Sequence, residues 1–115
     1  MKVIIAGGRS FNNYNLLYTE CNNYLNAYSN IEIVSGCANG ADRLGERYAL
    51  EKEYLITKFP AQWDTFGKSA GYIRNEEMAK YADILIAFWD GDSKGTKHMI
   101  NLAEKYKLKV NIIKY

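Results

Sequence analysis

One proline stands among 115 residues, Pro60, so no proline-rich linker marks a boundary between domains. Histidine is equally scarce, with His98 alone. The two cysteines, Cys21 and Cys37, have neither metal-ligand nor redox spacing. One imidazole and two separated thiols argue against a structural zinc site, and neither a metal nor a cofactor is expected. Long apolar runs are also missing. The most extended, Ile84-Leu85-Ile86-Ala87-Phe88-Trp89, falls far short of the ~20 residues that cross a bilayer. Residues 3–6 are too few for a secretory signal core. The expectation is a cytoplasmic protein with free thiols and no membrane partner. Fifteen basic against thirteen acidic residues give a net charge of +2, with no block of either sign. Nothing there favours nucleic acid as a partner, although a few basic residues in one cleft would not move the total. Finally, there is no G-x-G-x-x-G, and Gly67-Lys68-Ser69 lacks the glycine five positions earlier, where Gln62 stands, so neither the dinucleotide fingerprint nor the P-loop is present.

What is present centres on residues 84–99. The apolar run has the pattern of a strand buried on both faces, as in a parallel sheet. Asp90-Gly91-Asp92-Ser93-Lys94-Gly95-Thr96 then turns the chain into a helix. Such a turn is expected to leave backbone N–H groups unpaired at a helix N-terminus, where the dipole favours an anion such as phosphate.

The rest of the chain alternates in the same way. A first strand over residues 3–6 ends in Gly7-Gly8-Arg9-Ser10. Asn12 or Asn13 caps the next helix, whose apolar stripe is Leu17, Cys21, Tyr24, Leu25 and Tyr28. A second strand over 31–34 leads into Ser35-Gly36-Cys37-Ala38-Asn39-Gly40-Ala41-Asp42. The helix over 40–53 turns Ala41, Leu44 and Tyr48 inward, and Gly45 lets it approach the sheet closely. A third strand over 54–59 stops at Pro60. Residues 61–68 read as irregular, anchored by Trp63 and Phe66. Ser69 is the expected cap of a helix to Tyr81, with Ala70, Ile73 and Met78 inward. After the turn at 90–96, Met99, Leu102, Ala103 and Tyr106 face the core, and residues 109–114 form an edge strand.

Five strands alternating with four helices predict one α/β domain over residues 1–115: a five-stranded parallel sheet, order 3-2-1-4-5, with helices on both faces. Hydrophobic content of 48% and aromatic content of 14% suit a well-filled core. In that order strands one and four are neighbours whose connections leave in opposite directions, the switch point at which open α/β sheets bind ligands. The turns at Gly7-Gly8-Arg9 and over residues 91–96 then face each other across a crevice.

Six of the nine glycines fall in the loops after strands one, two and four. Tight turns need glycine whatever their function, but three such loops together favour a phosphate-bearing ligand. Asp42 has two readings: a cap paired with Asn39 and the helix dipole, or an acceptor for a ribose hydroxyl, since a carboxylate repels phosphate. Arg74 is either a surface partner of Glu77 at i, i+3 or a fork-shaped phosphate or sugar clamp, the reading preferred here. His98 reads as a helix-surface residue more readily than as a ligand contact. Trp63 reads as core cover more readily than as a stacking face for a base.

Taken together, Gly7-Gly8-Arg9-Ser10-Phe11, Ser35-Gly36 through Gly40-Ala41-Asp42, Phe59-Pro60-Ala61-Gln62-Trp63, Gly67 with Ala70-Gly71, Arg74-Asn75, and Gly91 through Ser93-Lys94-Gly95-Thr96 give the chain a family likeness. It resembles the YspA-related branch of the SLOG superfamily, which also holds the Smf/DprA DNA-processing proteins and the LOG phosphoribohydrolases. The resemblance implies a Rossmann-like fold and a nucleotide-type site built from Gly8, Arg9, Ser10, Gly36, Ala38, Asn39, Gly40, Asp42, Trp63, Arg74, Asn75, Gly91, Ser93, Gly95, Thr96 and His98. It also implies a homodimer, which is common in related folds. LOG enzymes carry an arginine segment that Arg74-Asn75-Glu76-Glu77-Met78 resembles, and a glycine-threonine helix start that Gly95-Thr96-Lys97-His98-Met99 resembles. Met99 occupies the position of their catalytic glutamate, and a thioether can neither take a proton nor stabilise a cationic ribosyl centre.

The expected function is therefore binding of a nucleotide or nucleotide-derived ligand, as a sensor or sequestering module. The alternative is hydrolysis of an N-glycosidic bond, with Asp42, Arg74, Glu76 or His98 as catalytic candidates. A third is single-stranded DNA binding of the DprA kind.

Overall fold

The computed structural model describes residues 1–115. The chain runs β1 (Lys2–Gly7), α1 (Tyr14–Leu25), β2 (Glu32–Ser35), α2 (Ala41–Lys52), β3 (Leu55–Lys58), α3 (Trp63–Phe66), a 3₁₀ turn (Gly67–Ser69), α4 (Ala70–Tyr81), β4 (Ile84–Trp89), α5 (Lys94–Lys105) and β5 (Lys109–Lys114). All strand pairs are parallel and the order is β3-β2-β1-β4-β5, as the alternation of elements predicts. At the centre Ile4 lies opposite Leu85 and Ile5 opposite Ile86.

Strand side chains point alternately to the two faces of the sheet, and the two halves of the core follow that period. Val3, Ile5, Ile33, Ile84, Ile86 and Phe88 pack with Leu17, Cys21 and Leu25 of α1 and with Ala41, Tyr48 and Ala49 of α2. Ile4, Ala6, Val34, Leu85 and Ala87 pack with Met78 and Ala79 of α4 and with Met99, Ile100, Leu102 and Ala103 of α5. The central strands are thus apolar on both sides, which is why β4 is a continuous apolar run and the edge strand β5 is not. No helix is long and apolar enough to cross a membrane.

Local chemistry explains the helix starts. Asn13 Oδ1 accepts from the Leu16 amide at 3.1 Å and caps α1. Gly45 brings α2 close to β1, because a Cβ there would stand 2.9 Å from Ile5 Cβ. Three expectations need correction. Residues 63–69 are helical, not irregular. Trp63 and Phe66 anchor no core: they are 50% and 44% exposed. Ser69 does not cap α4, since its backbone is already helical and its side chain bonds to no helix amide. The preceding 3₁₀ turn supplies the geometry that a cap would otherwise impose.

Candidate functional site

β1 leads to α1 on one face of the sheet and β4 leads to α5 on the other, and a crevice of about 430 Å³ opens beyond their carboxyl ends. Its walls are Gly8, Arg9 and Ser10 after β1, Ala38 and Asp42 after β2, Asp90, Ser93, Gly95 and Thr96 after β4, and Arg74 and Asn75 on α4. Met78 and Met99, both buried, give it apolar surface. A volume of this size lies within the range of small-molecule sites.

The backbone donors of the crevice are fewer than the turn chemistry predicts. Asp90 Oδ1 accepts from the amides of Asp92 and Ser93 at 2.8 and 2.9 Å, and Ser93 Oγ takes the Thr96 amide at 3.4 Å. Short polar side chains compete for backbone groups in this way. The expectation of an unpaired turn holds only in part: the Asp92, Ser93 and Thr96 amides are taken, while those of Asp90, Gly91, Lys94 and Gly95 have no intramolecular acceptor. Across the crevice, the Arg9 and Ser10 amides also lack one. The Gly8 carbonyl accepts from both Phe11 and Ala41 at 3.2 Å, tying the β1 turn to the start of α2.

Arg74 turns inward. It does not pair with Glu77; its Nη1 donates to the Gly36 carbonyl and its Nε to Asn75 Oδ1 at 3.0 Å. Asn75 is buried and its amide lies 3.2 Å from His98 Nδ1 and 3.5 Å from the Gly95 carbonyl, so it ties α4 to α5 while its oxygen holds Arg74 Nε. Asp42 stands on the other side of Gly36: a Cβ on Gly36 would be 2.8 Å from both Arg74 Nη1 and Asp42 Oδ2. Asp42 is 6% exposed. Its Oδ2 accepts from the Ala38 amide at 3.1 Å, while Oδ1 has no partner within the protein and opens on the crevice. Burial pushes the Asp42 carboxyl up from 3.8 to about 6, against the opposing pull of the Ala38 amide and the Arg74 charge. Burial likewise lowers the Arg74 pKa, with Asp42 opposing. The pairing of Asp42 with Asn39 is not formed; the side chain reaches back to Ala38 instead.

A second hollow of about 430 Å³ adjoins the crevice and shares Arg9, Ala38 and Arg74 with it. It gathers Gly36, Asn39 and Trp63 together with Cys37, Arg43, Pro60 and Ala61. Gly40 lines neither space; it caps α2 at a positive φ of 78°. Gly91 has a positive φ of 93° and shapes the turn, also without lining the crevice.

Two catalytic candidates lie elsewhere. Glu76 accepts from Tyr106 Oη at 2.8 Å, and that bond holds its carboxyl below the usual range. His98 lines a separate open hollow with Tyr72, Lys94, Lys97 and Asn101, its ring stacked edge-on to Tyr72 at 4.5 Å, and burial lowers its pKa. Sequence reasoning missed Asp90, whose place in an Asp-Gly-Asp-Ser turn was its signal, and Tyr115, whose hydroxyl closes over Gly8. No three His, Cys, Asp or Glu side chains are arranged as a metal site.

The order 3-2-1-4-5 with a crevice outside β1 and β4 defines a doubly wound α/β protein with a switch-point site. Residues 1–66 match the family described as YspA, cpYpsA-related SLOG family. The chain belongs to that family. It is also similar to the Gene 61 protein of Mycobacterium phage D29, with 38% identity over 79 residues. The match covers 64% of this chain and 63% of the phage protein, so the chain spans less than two thirds of that relative's length. No solved structure matches the chain.

Proposed function

We propose that the protein binds a nucleotide or nucleotide-derived ligand through a phosphate seated in the crevice, as a sensor or sequestering module. One observation carries the reading: Arg9 and Ser10 on one wall and Gly95 on the other have amides without an intramolecular acceptor, and Arg9 and Arg74 bring positive charge to the same crevice. Aligned amides at a helix start with a guanidinium beside them suit a phosphate. Membership of the SLOG family is consistent with a nucleotide-related ligand. Thermal-shift titration tests the reading. A nucleotide at about a hundred times its dissociation constant should add roughly 2.7 kcal/mol, and the matching nucleoside much less. Equal responses to nucleosides and nucleotides would sink the phosphate site. Gly95 sharpens the test, because a Cβ there meets nothing in the protein. Gly95→Val should therefore fold normally and lose the nucleotide response, its branched side chain standing where phosphate approaches the free amides.

One observation favours a second reading, N-glycosidic hydrolysis. Asp42 is a buried carboxyl on the crevice with a pKa raised to about 6, the property of a general acid or base near neutral pH. Against it, Met99 puts a thioether where LOG enzymes carry their glutamate. The expected result is no release of free base from nucleoside monophosphates above background. Release that falls roughly 10²–10⁴-fold in Asp42→Asn would establish the hydrolase instead.

A further inference from the structure

The hollow beside the crevice contains a large side chain that the fold leaves unused. Trp63 is 50% exposed, its indole N–H has no hydrogen-bond partner, and neither a ring nor a cation covers its faces. Trp89, the other tryptophan, differs on every point: its N–H donates to the Ser93 carbonyl at 3.1 Å and the Lys114 ammonium lies 5.1 Å from its ring. Trp63 is nonetheless held in place. Its Cη2 is 3.5 Å from where a Cβ on Gly71 would stand, and Arg74 Nη2 is 3.8 Å from the same point. The ring thus lines the hollow on the α4 side, near the Arg74 guanidinium, a residue common to hollow and crevice.

Asp42 fixes what lies between them. It borders Gly36 and Ala38, which line the hollow, and its unpartnered Oδ1 faces the crevice from an almost wholly buried side chain. An ionised carboxylate only accepts hydrogen bonds and repels phosphate, so its complement is a donor such as a hydroxyl.

We propose that the hollow is a nucleobase subsite: a ribonucleotide lies with its phosphate in the crevice, a ribose hydroxyl on Asp42 and its base against Trp63. This rests on the nucleotide reading above and adds to it the direction of the ligand and the residue that receives the base. Stacking on an aromatic face tolerates any base. Arg43 lines the hollow, and the guanidinium N–H groups that it does not give to Glu46 are donors for base edges that carry acceptors, such as O6 and N7 of guanine.

Calorimetric titration with ribose 5-phosphate, AMP and GMP separates the two claims. Trp63→Ala should weaken AMP and GMP by roughly ten- to a hundredfold, Trp63→Phe should recover most of the loss, and ribose 5-phosphate should bind all three proteins alike. Of 2′-deoxy- and 3′-deoxy-AMP, at least one should bind the unaltered protein roughly tenfold more weakly than AMP, having lost the hydroxyl that Asp42 accepts. Nucleotide binding unaffected by Trp63→Ala, or an equal loss for ribose 5-phosphate, overturns the base subsite while leaving the phosphate site standing. Equal binding of AMP and both deoxynucleotides overturns the role given to Asp42. Failure of every one of these ligands to bind the unaltered protein removes the nucleotide reading itself, and the subsite with it.

Discussion

Gly40→Ala is expected to cost the protein at least about 3 kcal/mol and roughly 10 °C in Tm. Two effects add. Gly40 has φ 78° and ψ −127°, a conformation in which a side chain is strained. The added Cβ would also stand 2.2 Å from the Gly8 carbonyl oxygen and 2.5 Å from that of Arg9. Both obstacles are backbone, so neither yields by changing a rotamer. The clash falls where Gly8 binds the Phe11 and Ala41 amides, and relief would pull the β1 turn away from α2. Gly95→Ala is the control, since nothing in the protein meets its Cβ. At a helix position with room for a methyl group, it should leave stability unchanged or raise it by up to about 1 kcal/mol. Urea unfolding of the two variants side by side checks the contrast, and equal stabilities would show that the turn accommodates a side chain.

Asp42→Asn is expected to stabilise the protein at pH 8 and to lose that advantage on acidification. The carboxyl titrates at about 6 in the folded protein against an ordinary 3.8, so the native state holds its proton more tightly than the unfolded chain. Below the unfolded value both states are protonated and burial carries no penalty from charge. As pH rises through the interval the unfolded chain ionises first, and stability falls until the folded group has ionised as well. At about 1.4 kcal/mol per pH unit the full penalty is roughly 3 kcal/mol, reached above pH 7. Asparagine avoids it and retains an oxygen for the Ala38 amide. The stability difference between variant and parent, measured from pH 3.5 to pH 8, should therefore grow with pH. A constant difference would place the cost somewhere other than ionisation.

The sheet was readable from sequence because burial on both faces leaves an unbroken apolar run, and glycine turns punctuate the strands. The site was readable only where its chemistry is local. Gly8, Arg9, Ser10, Ser93 and Gly95 follow strands whose ends meet at the switch point, and topology alone brings them together. Arg74 and Glu76 show what spacing cannot carry. Helix periodicity offers Arg74 the carboxylate of Glu77, yet it binds a carbonyl 38 positions away, and Glu76 turns to Tyr106, 30 positions along. The β4 turn failed differently. Its residues were all visible, but whether Asp90 takes the neighbouring amides or leaves them for a ligand depends on backbone angles that composition does not fix. The size of Trp63 suggests core, yet the helical stretch at 63–69 that carries it stands outside the core and leaves it half exposed.

The pairing of β1 with β4 joins residues 3–7 to residues 84–88. About eighty residues must be closed into a loop before the central pair of strands can form, a large entropic cost that delays such contacts in folding. During synthesis, the wall made by the β1 and β2 turns leaves the ribosome long before α5 exists, so the growing chain passes through a stage with half of the crevice. A ligand seated in the crevice, as proposed, would reinforce only the closed arrangement. In a cell it would act as a late-arriving clasp, slowing the reopening of finished molecules without hastening their folding.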